Sequence, residues 1–179
     1  DFDASTIITF LNLIEKNAIV VPLTKETFKQ HEYFFEQSFS NVIIKNKTVK
    51  KYKRKSNPLL EQLRYKNRPG LVLFSTGTTG NPKAILHDFT FFLERYNTLR
   101  PSFKTLNFLL FDHIGGINTL FHTLFNMGTI IVPKERTVQS VLSTCSKFKV
   151  DVLPTTPTFL RMLLISNTIP EKFPKSIKI

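Results

Sequence analysis

The residues best suited to chemistry lie in one short stretch, Ser75–Lys83, which reads STGTTGNPK. Glycine permits positive φ and lets a ligand approach the backbone closely. Backbone N–H groups in such a turn form an anion-binding concavity, and Lys83 adds a mobile positive charge suited to phosphate. The stretch therefore predicts a polyphosphate-binding loop, in which the binding residues are Ser75, Thr76, Gly77, Thr78, Thr79, Gly80 and Lys83.

Two common nucleotide-binding patterns do not fit this stretch. The P-loop pattern G-x-x-x-x-G-K-S/T, read from Gly77, requires a glycine where the chain has Pro82, and a hydroxyl residue where it has Ala84. The dinucleotide pattern G-x-G-x-x-G fails at Thr79. A Gly/Thr-rich surface turn without a ligand is the alternative interpretation.

The loop follows an apolar run, Leu71–Phe74, which predicts a buried strand, and a second apolar run, Ala84–Leu86, comes after it. Strands and helices alternate through most of the chain, which predicts an α/β fold with a mostly parallel sheet flanked by helices. Ligands bind outside the carboxyl ends of strands in such sheets, where the loop would lie. Predicted strands cover 18–21, 41–44, 71–74, 106–111, 129–132 and 150–153, and predicted helices cover 7–14, 25–38, 58–67, 88–98, 117–127, 137–148 and 156–164.

Composition favours a globular cytoplasmic protein. The chain has 179 residues, 41% of them hydrophobic, and one cysteine, Cys145, so no internal disulfide framework exists. No apolar run is long enough to span a bilayer, and the acidic start lacks the basic region of a signal peptide. The missing initial Met and an end inside a β-like run at 176–179 predict a fragment whose open sheet edge promotes self-association.

The chain is strongly basic, with 25 Lys and Arg against 13 Asp and Glu and a net charge of +12. Much of the excess lies between Lys45 and Lys55, which we interpret as a solvated hairpin or loop. A basic surface suits ATP, CoA or an acidic carrier protein. The alternative hypothesis is a non-catalytic nucleotide- or nucleic-acid-binding module that uses the run 45–55.

The stretch Ser75–Lys83 resembles the phosphate-loop signature of the adenylate-forming superfamily, S/T-S/T-G-S/T-T-G-x-P-K-G, and departs from it at Ala84. Three further segments resemble motifs of that superfamily in the same order: Asn17–Leu23, Phe111–Ile117 and Asp151–Thr158. The resemblance covers most of the chain and implies ATP-dependent activation of a carboxylic acid to an acyl-adenylate.

The resemblance also implies roles for particular residues. Thr76–Gly80 and Lys83 would surround the β- and γ-phosphates of ATP, and Thr78 or Thr79 would contribute a ligand to Mg²⁺. The carboxylate pocket would include His113, Gly115 and Gly116, and the alternative interpretation of His113 is a core histidine that bonds to a neighbouring carbonyl. Asp112 stands where the family usually has Phe or Tyr and is a candidate partner of His113. His87 and Cys145 are interpreted as structural.

The implied acceptor of the acyl group is the thiol of CoA or of phosphopantetheine on a carrier protein, and the implied substrate is a small-molecule carboxylate. The family's adenine-binding, Mg²⁺-binding and catalytic-lysine motifs do not occur within residues 1–179. We therefore expect these residues to be part of the large N-terminal domain of an adenylate-forming ligase, with the phosphate loop at 75–83, no catalytic residue of their own and no activity in isolation.

Overall fold

The computed structural model describes residues 3–45, 48–75, 80–166 and 177 of the chain. The chain divides into two compact units. The first unit comprises residues 3–95 with 111–113, and the second comprises residues 96–110 with 114–166.

The first unit contains two groups of strands and four α-helices among its described residues. These elements are α1 (Ala4–Glu15), β1 (Ile19–Val20), a 3₁₀ helix (Lys25–Gln30), α2 (His31–Gln37), β2 (Val42–Lys45), β3 (Thr48–Lys51), α3 (Pro58–Tyr65), β4 (Gly70–Ser75), β5 (Lys83–Asp88) and α4 (Phe89–Glu94). One sheet has the order β1-β4-β5, with β1 parallel and β5 antiparallel to β4. The other is the antiparallel hairpin of β2 and β3.

The central strand β4 lies in the core of the first unit. Leu71 and Val72 are fully or almost fully buried, as an unbroken apolar run in a central strand requires. Helix α4 follows β5 directly and places Phe89 in the same core. Asp88 caps this helix by accepting the Thr90 N–H and pairs with Arg68 at 3.0 Å, which fixes the end of β5.

The second unit contains a short parallel sheet and three helices among its described residues: β6 (Lys104–Leu106), α5 (Ile114–Phe125), β7 (Thr129–Ile131), α6 (Val138–Phe148) and α7 (Pro157–Ser166). β6 pairs in parallel with β7, and Thr105 forms a further parallel bridge with Val152. The core includes Leu106, Val141 and Leu153, all fully buried.

The predicted α/β fold class is confirmed, with mixed pairing in the first unit and parallel pairing in the second. The predicted helix starts at Asn57 and Thr137 are also found. Asn57 accepts the Leu59 N–H, and Thr137 accepts the Ser140 N–H, which satisfies donors that have no partner within the helix. Among the described residues, no helix has the length and apolar character needed to cross a membrane.

Several predicted boundaries differ from the structure. The strand predicted at 106–111 ends at Leu106, and α5 begins at Ile114 rather than 117. Helix α4 ends at Glu94 rather than 98, because Tyr96 belongs to the second unit, where its hydroxyl donates to Asn118 Oδ1 at 2.8 Å. Apolar runs predict that a helix or strand is present more reliably than they predict where it ends, because its ends depend on packing partners distant in the chain.

The predicted stop of α5 at Gly128 has a different geometry. Met127 is the left-handed residue, with φ of 54°, and the Gly128 N–H bonds to the Thr123 carbonyl at 2.8 Å. A Cβ on residue 128 would lie 2.6 Å from the Phe103 carbonyl oxygen. Gly128 is therefore needed for close backbone approach rather than for its backbone angles.

Candidate functional site

The predicted phosphate loop joins two antiparallel strands. Ser75, the last residue of β4, lies directly opposite Lys83, the first residue of β5. Side chains directly opposite each other in an antiparallel pair lie on the same face, about 5 Å apart at Cβ. The register therefore places a hydroxyl and a lysine on one face at the base of the loop.

Among the described residues of the loop, Gly80 has an unusual backbone conformation. Its φ is +146°, a conformation that residues with a side chain rarely adopt. A Cβ at this position would meet none of the described atoms within 4 Å. Among the described residues, the backbone angle is therefore the reason that glycine is required here.

The remaining predicted loop residues, Thr76, Gly77, Thr78 and Thr79, lie outside the described residues, as does the choice between Thr78 and Thr79 as a magnesium ligand. Lys83 is exposed. Among the residues that the structure describes, no carboxylate forms a salt bridge with it. An exposed lysine without an acidic partner is available to an anionic ligand.

Helix α2 contacts the residues on both sides of the loop, which sequence reasoning did not predict. The Tyr33 hydroxyl donates to the Pro82 carbonyl at 3.0 Å. The Phe34 ring stacks on the Phe74 ring with 3.9 Å between centroids and 17° between planes. No sequence signal identifies these partners, because they are separated by 40 residues or more of chain.

Asp112 forms a buried polar contact in the first unit. It is 8% exposed, and its Oδ2 accepts a hydrogen bond from the Thr24 hydroxyl at 2.7 Å. His113 is exposed and places Nε2 at 3.8 Å from Asp112 Oδ1. The predicted pairing of Asp112 with His113 is thus long, and the closer partner is Thr24, which comes from a segment 88 residues earlier.

The predicted pocket residues belong to different units. His113 is part of the first unit, whereas Gly115 and Gly116 lie in the first turn of α5 in the second. A Cβ on Gly115 would make an ordinary contact, 3.6 Å from Leu109 Cδ1. A Cβ on Gly116 would lie 2.1 Å from the Leu110 carbonyl oxygen, so this glycine has a packing role in addition to its predicted place in the pocket.

Burial favours the neutral form of the two titratable residues interpreted as structural. It lowers the pKa of His87 below its ordinary value. Burial raises the pKa of the Cys145 thiol to about 11, and a protonated thiol is a poor nucleophile. Within the described parts of the chain, no group of three or more His, Cys, Asp or Glu side chains is arranged to hold a metal ion.

Comparison with protein families gives one match over nearly the whole chain. A family model described as "AMP-binding enzyme" matches residues 2–178. Among curated protein sequences, none matches this chain.

Several solved structures share the fold. The chain is similar to the inhibitor-bound N-terminal domain of FACL13 from Mycobacterium tuberculosis, with a TM-score of 0.73 and 15% identity, over 98% of this chain and 53% of that one. It is also similar to o-succinylbenzoate CoA synthetase (MenE) from Bacillus subtilis in complex with OSB-AMP, with a TM-score of 0.66 and 18% identity, over 96% and 52%. At these identities the likeness concerns the fold, and the chain spans about half the length of these two structures.

Proposed function

The chain belongs to the AMP-binding enzyme family, and from this membership we propose that the protein activates a small-molecule carboxylic acid with ATP. A carboxylate oxygen attacks the α-phosphorus of ATP, the bond between the α- and β-phosphates breaks, and pyrophosphate leaves. The product is an acyl-adenylate. The second step transfers the acyl group to the thiol of CoA or of a carrier-protein phosphopantetheine, with AMP as the leaving group.

The observation that supports this proposal best is the pairing of Ser75 with Lys83 at the base of the loop. It places a hydroxyl donor and an exposed cation on one face, beside a glycine-containing turn. Donors fixed in position before the reaction stabilise charge that develops on a leaving group, because no reorganisation is needed at the moment of reaction. The pyrophosphate that leaves in the proposed reaction carries such charge.

Magnesium enters the proposed reaction as part of the substrate, MgATP. The cation neutralises the phosphates and orients them, and the proposed protein ligand is the hydroxyl of Thr78 or Thr79. Among the described residues, we propose that Lys83 contributes its charge and Ser75 its hydroxyl to phosphate binding. Both are suited to the oxygens of a polyphosphate, which accept hydrogen bonds and carry negative charge.

The proposed acyl acceptors are anionic, and so are the proposed carrier partners. The exposed lysines of the β2–β3 hairpin provide a surface of complementary charge.

We propose His113, Gly115 and Gly116 as residues of the carboxylate pocket. We also propose that the protein acts in the cytoplasm.

The test is ATP–pyrophosphate exchange by the full-length protein across a panel of fatty and aromatic acids. We expect exchange that depends on the acid and on Mg²⁺, because acyl-adenylate formation is reversible. Residues 1–179 expressed alone are expected to give none, since they lack the family's adenine, ribose and catalytic-lysine motifs. The absence of acid-dependent exchange by the full-length protein would contradict the proposed function.

The competing hypothesis of a nucleic-acid-binding module leads to a different expectation. Tyr52 is the one aromatic residue in the sequence of the basic run. It is 43% exposed, and its ring packs edge-on against Phe35 at 5.0 Å, while Arg54 lies over the same Phe35 ring. Proteins that bind single strands stack successive bases on several aromatic faces. We therefore expect weak, salt-sensitive binding without sequence preference.

Fluorescence anisotropy with labelled single- and double-stranded oligonucleotides at physiological salt measures this binding. A poly-anion of matched charge, such as heparin, serves as the control and is expected to compete fully. Tight, sequence-selective binding that heparin does not displace would favour the nucleic-acid hypothesis over the ligase.

A further inference from the structure

We propose that helix α2 is the element that positions the phosphate loop, and that Tyr33 and Phe34 are positioning residues for the adenylation step. The proposal rests on the proposed function. It concerns how the chain holds Ser75 and Lys83 in place, which neither the family match nor the motif identifies.

The first contact orients the peptide that carries Lys83. The Tyr33 hydroxyl donates to the Pro82 carbonyl at 3.0 Å, and that carbonyl belongs to the peptide group between Pro82 and Lys83. Because a peptide group is planar, a hydrogen bond to its oxygen fixes the direction of its N–H and the position of the next Cα. Tyr33 thereby restricts where the Lys83 side chain begins.

The second contact holds the other side of the loop. Phe34 is 3% exposed, and its ring stacks on that of Phe74, the residue directly before Ser75. Stacked aromatic pairs in a core contribute about 0.5–1.5 kcal/mol beyond the area that they bury. Phe34 thereby fixes the end of β4 in the same way that Tyr33 fixes the start of β5.

Both contacts come from neighbouring residues on one helix, and that helix is itself anchored. His31 at its start forms a hydrogen bond through Nε2 to the Thr24 carbonyl at 2.8 Å. The third aromatic residue of the helix, Phe35, contacts Tyr52 and Arg54 of the hairpin segment instead. Phe35 therefore offers a matched control on the same helix.

The expected consequence is a loss of rate rather than of ATP binding. Donors that are displaced by even about 1 Å stabilise the transition state poorly, whereas the electrostatic attraction between Lys83 and a polyphosphate changes little over that distance. Tyr33→Phe removes one hydroxyl and leaves the ring. We expect it to lower kcat for ATP–pyrophosphate exchange about three- to tenfold, with the KM for ATP changed less than twofold.

Three variants of the full-length protein test the proposal: Tyr33→Phe, Phe34→Leu and the control Phe35→Leu. Steady-state exchange gives kcat and the KM for ATP, and hydrogen–deuterium exchange reports local protection at the amides of 83–88. We expect the first two variants to lower kcat and to speed hydrogen exchange in 83–88, and the control to match the wild type in both.

The outcomes separate this inference from the proposed function. If the wild type shows no acid-dependent ATP–pyrophosphate exchange, the proposed function fails. Faster hydrogen–deuterium exchange at the amides of 83–88 in Tyr33→Phe would then still support the role of Tyr33 in positioning the start of β5. Wild-type kcat and wild-type protection in Tyr33→Phe would overturn the proposal while leaving the function intact. Equal loss of protection throughout the first unit would also overturn it, because the hydroxyl would then have a general structural role.

Discussion

Replacing Lys83 with alanine is expected to slow ATP–pyrophosphate exchange by the full-length protein roughly 100- to 1,000-fold, which is the range seen when one preorganised charge-stabilising donor is removed. Lys83 is exposed, begins β5 and lies opposite Ser75 at the base of the loop. In the proposed reaction, this charge would lie beside the leaving pyrophosphate. The loss should appear in kcat, because charge on the leaving group increases as the transition state forms.

Lys50→Ala provides the matched control for this experiment. Lys50 is an exposed lysine on β3 of the same unit, so the variant loses the same unit of net charge from a strand outside the β4–β5 pair. We expect exchange within about twofold of the wild type for Lys50→Ala, since an isolated surface charge contributes little. If Lys83→Ala matched Lys50→Ala, Lys83 would have no part in the reaction, and the assignment of the phosphate loop would lose its main support.

The second large effect concerns stability. Gly116→Ala is expected to lower the free energy of unfolding by about 3 kcal/mol, at the upper end of the range for overpacking in a close-packed interior. The added Cβ would lie 2.1 Å from the Leu110 carbonyl oxygen and 2.6 Å from that of Leu109. Both obstacles are backbone atoms, so no side-chain rotation relieves the clash and the first turn of α5 must shift. Urea unfolding followed by circular dichroism measures the change.

Gly115→Ala is the neighbouring control. It adds the same methyl group to the same helical turn, but the new Cβ meets only Leu109 Cδ1, at 3.6 Å. Alanine favours the helix over glycine by up to about 1 kcal/mol, so the free energy of unfolding should be unchanged or slightly higher. If Gly115→Ala and Gly116→Ala lowered the free energy of unfolding equally, close approach to residues 109 and 110 would not be the reason that this turn requires glycine.

The sequence by itself determined the parts of this protein that depend on local chemistry. The order of apolar runs predicted the α/β class, and Asn57 and Thr137 identified two helix starts, because a capping side chain bonds to backbone within three residues of itself. The composition of Ser75–Lys83 predicts a phosphate loop on the same local grounds, since glycines, hydroxyl groups and a lysine in one turn form an anion site through their own backbone and side chains, and this assignment stays a prediction.

Only the tertiary structure decided which distant residues contact each other. Tyr33 and Pro82 are separated by 49 residues, and Thr24 and Asp112 by 88. In each pair, the sequence around one residue does not identify the other as its partner. The same holds for Gly116, where the sequence shows a glycine pair and the structure shows that one member is crowded by backbone and the other is not. Contacts of this kind arise from the packing of distant segments, and one residue type is compatible with many such partners, so their identity is a property of the folded chain.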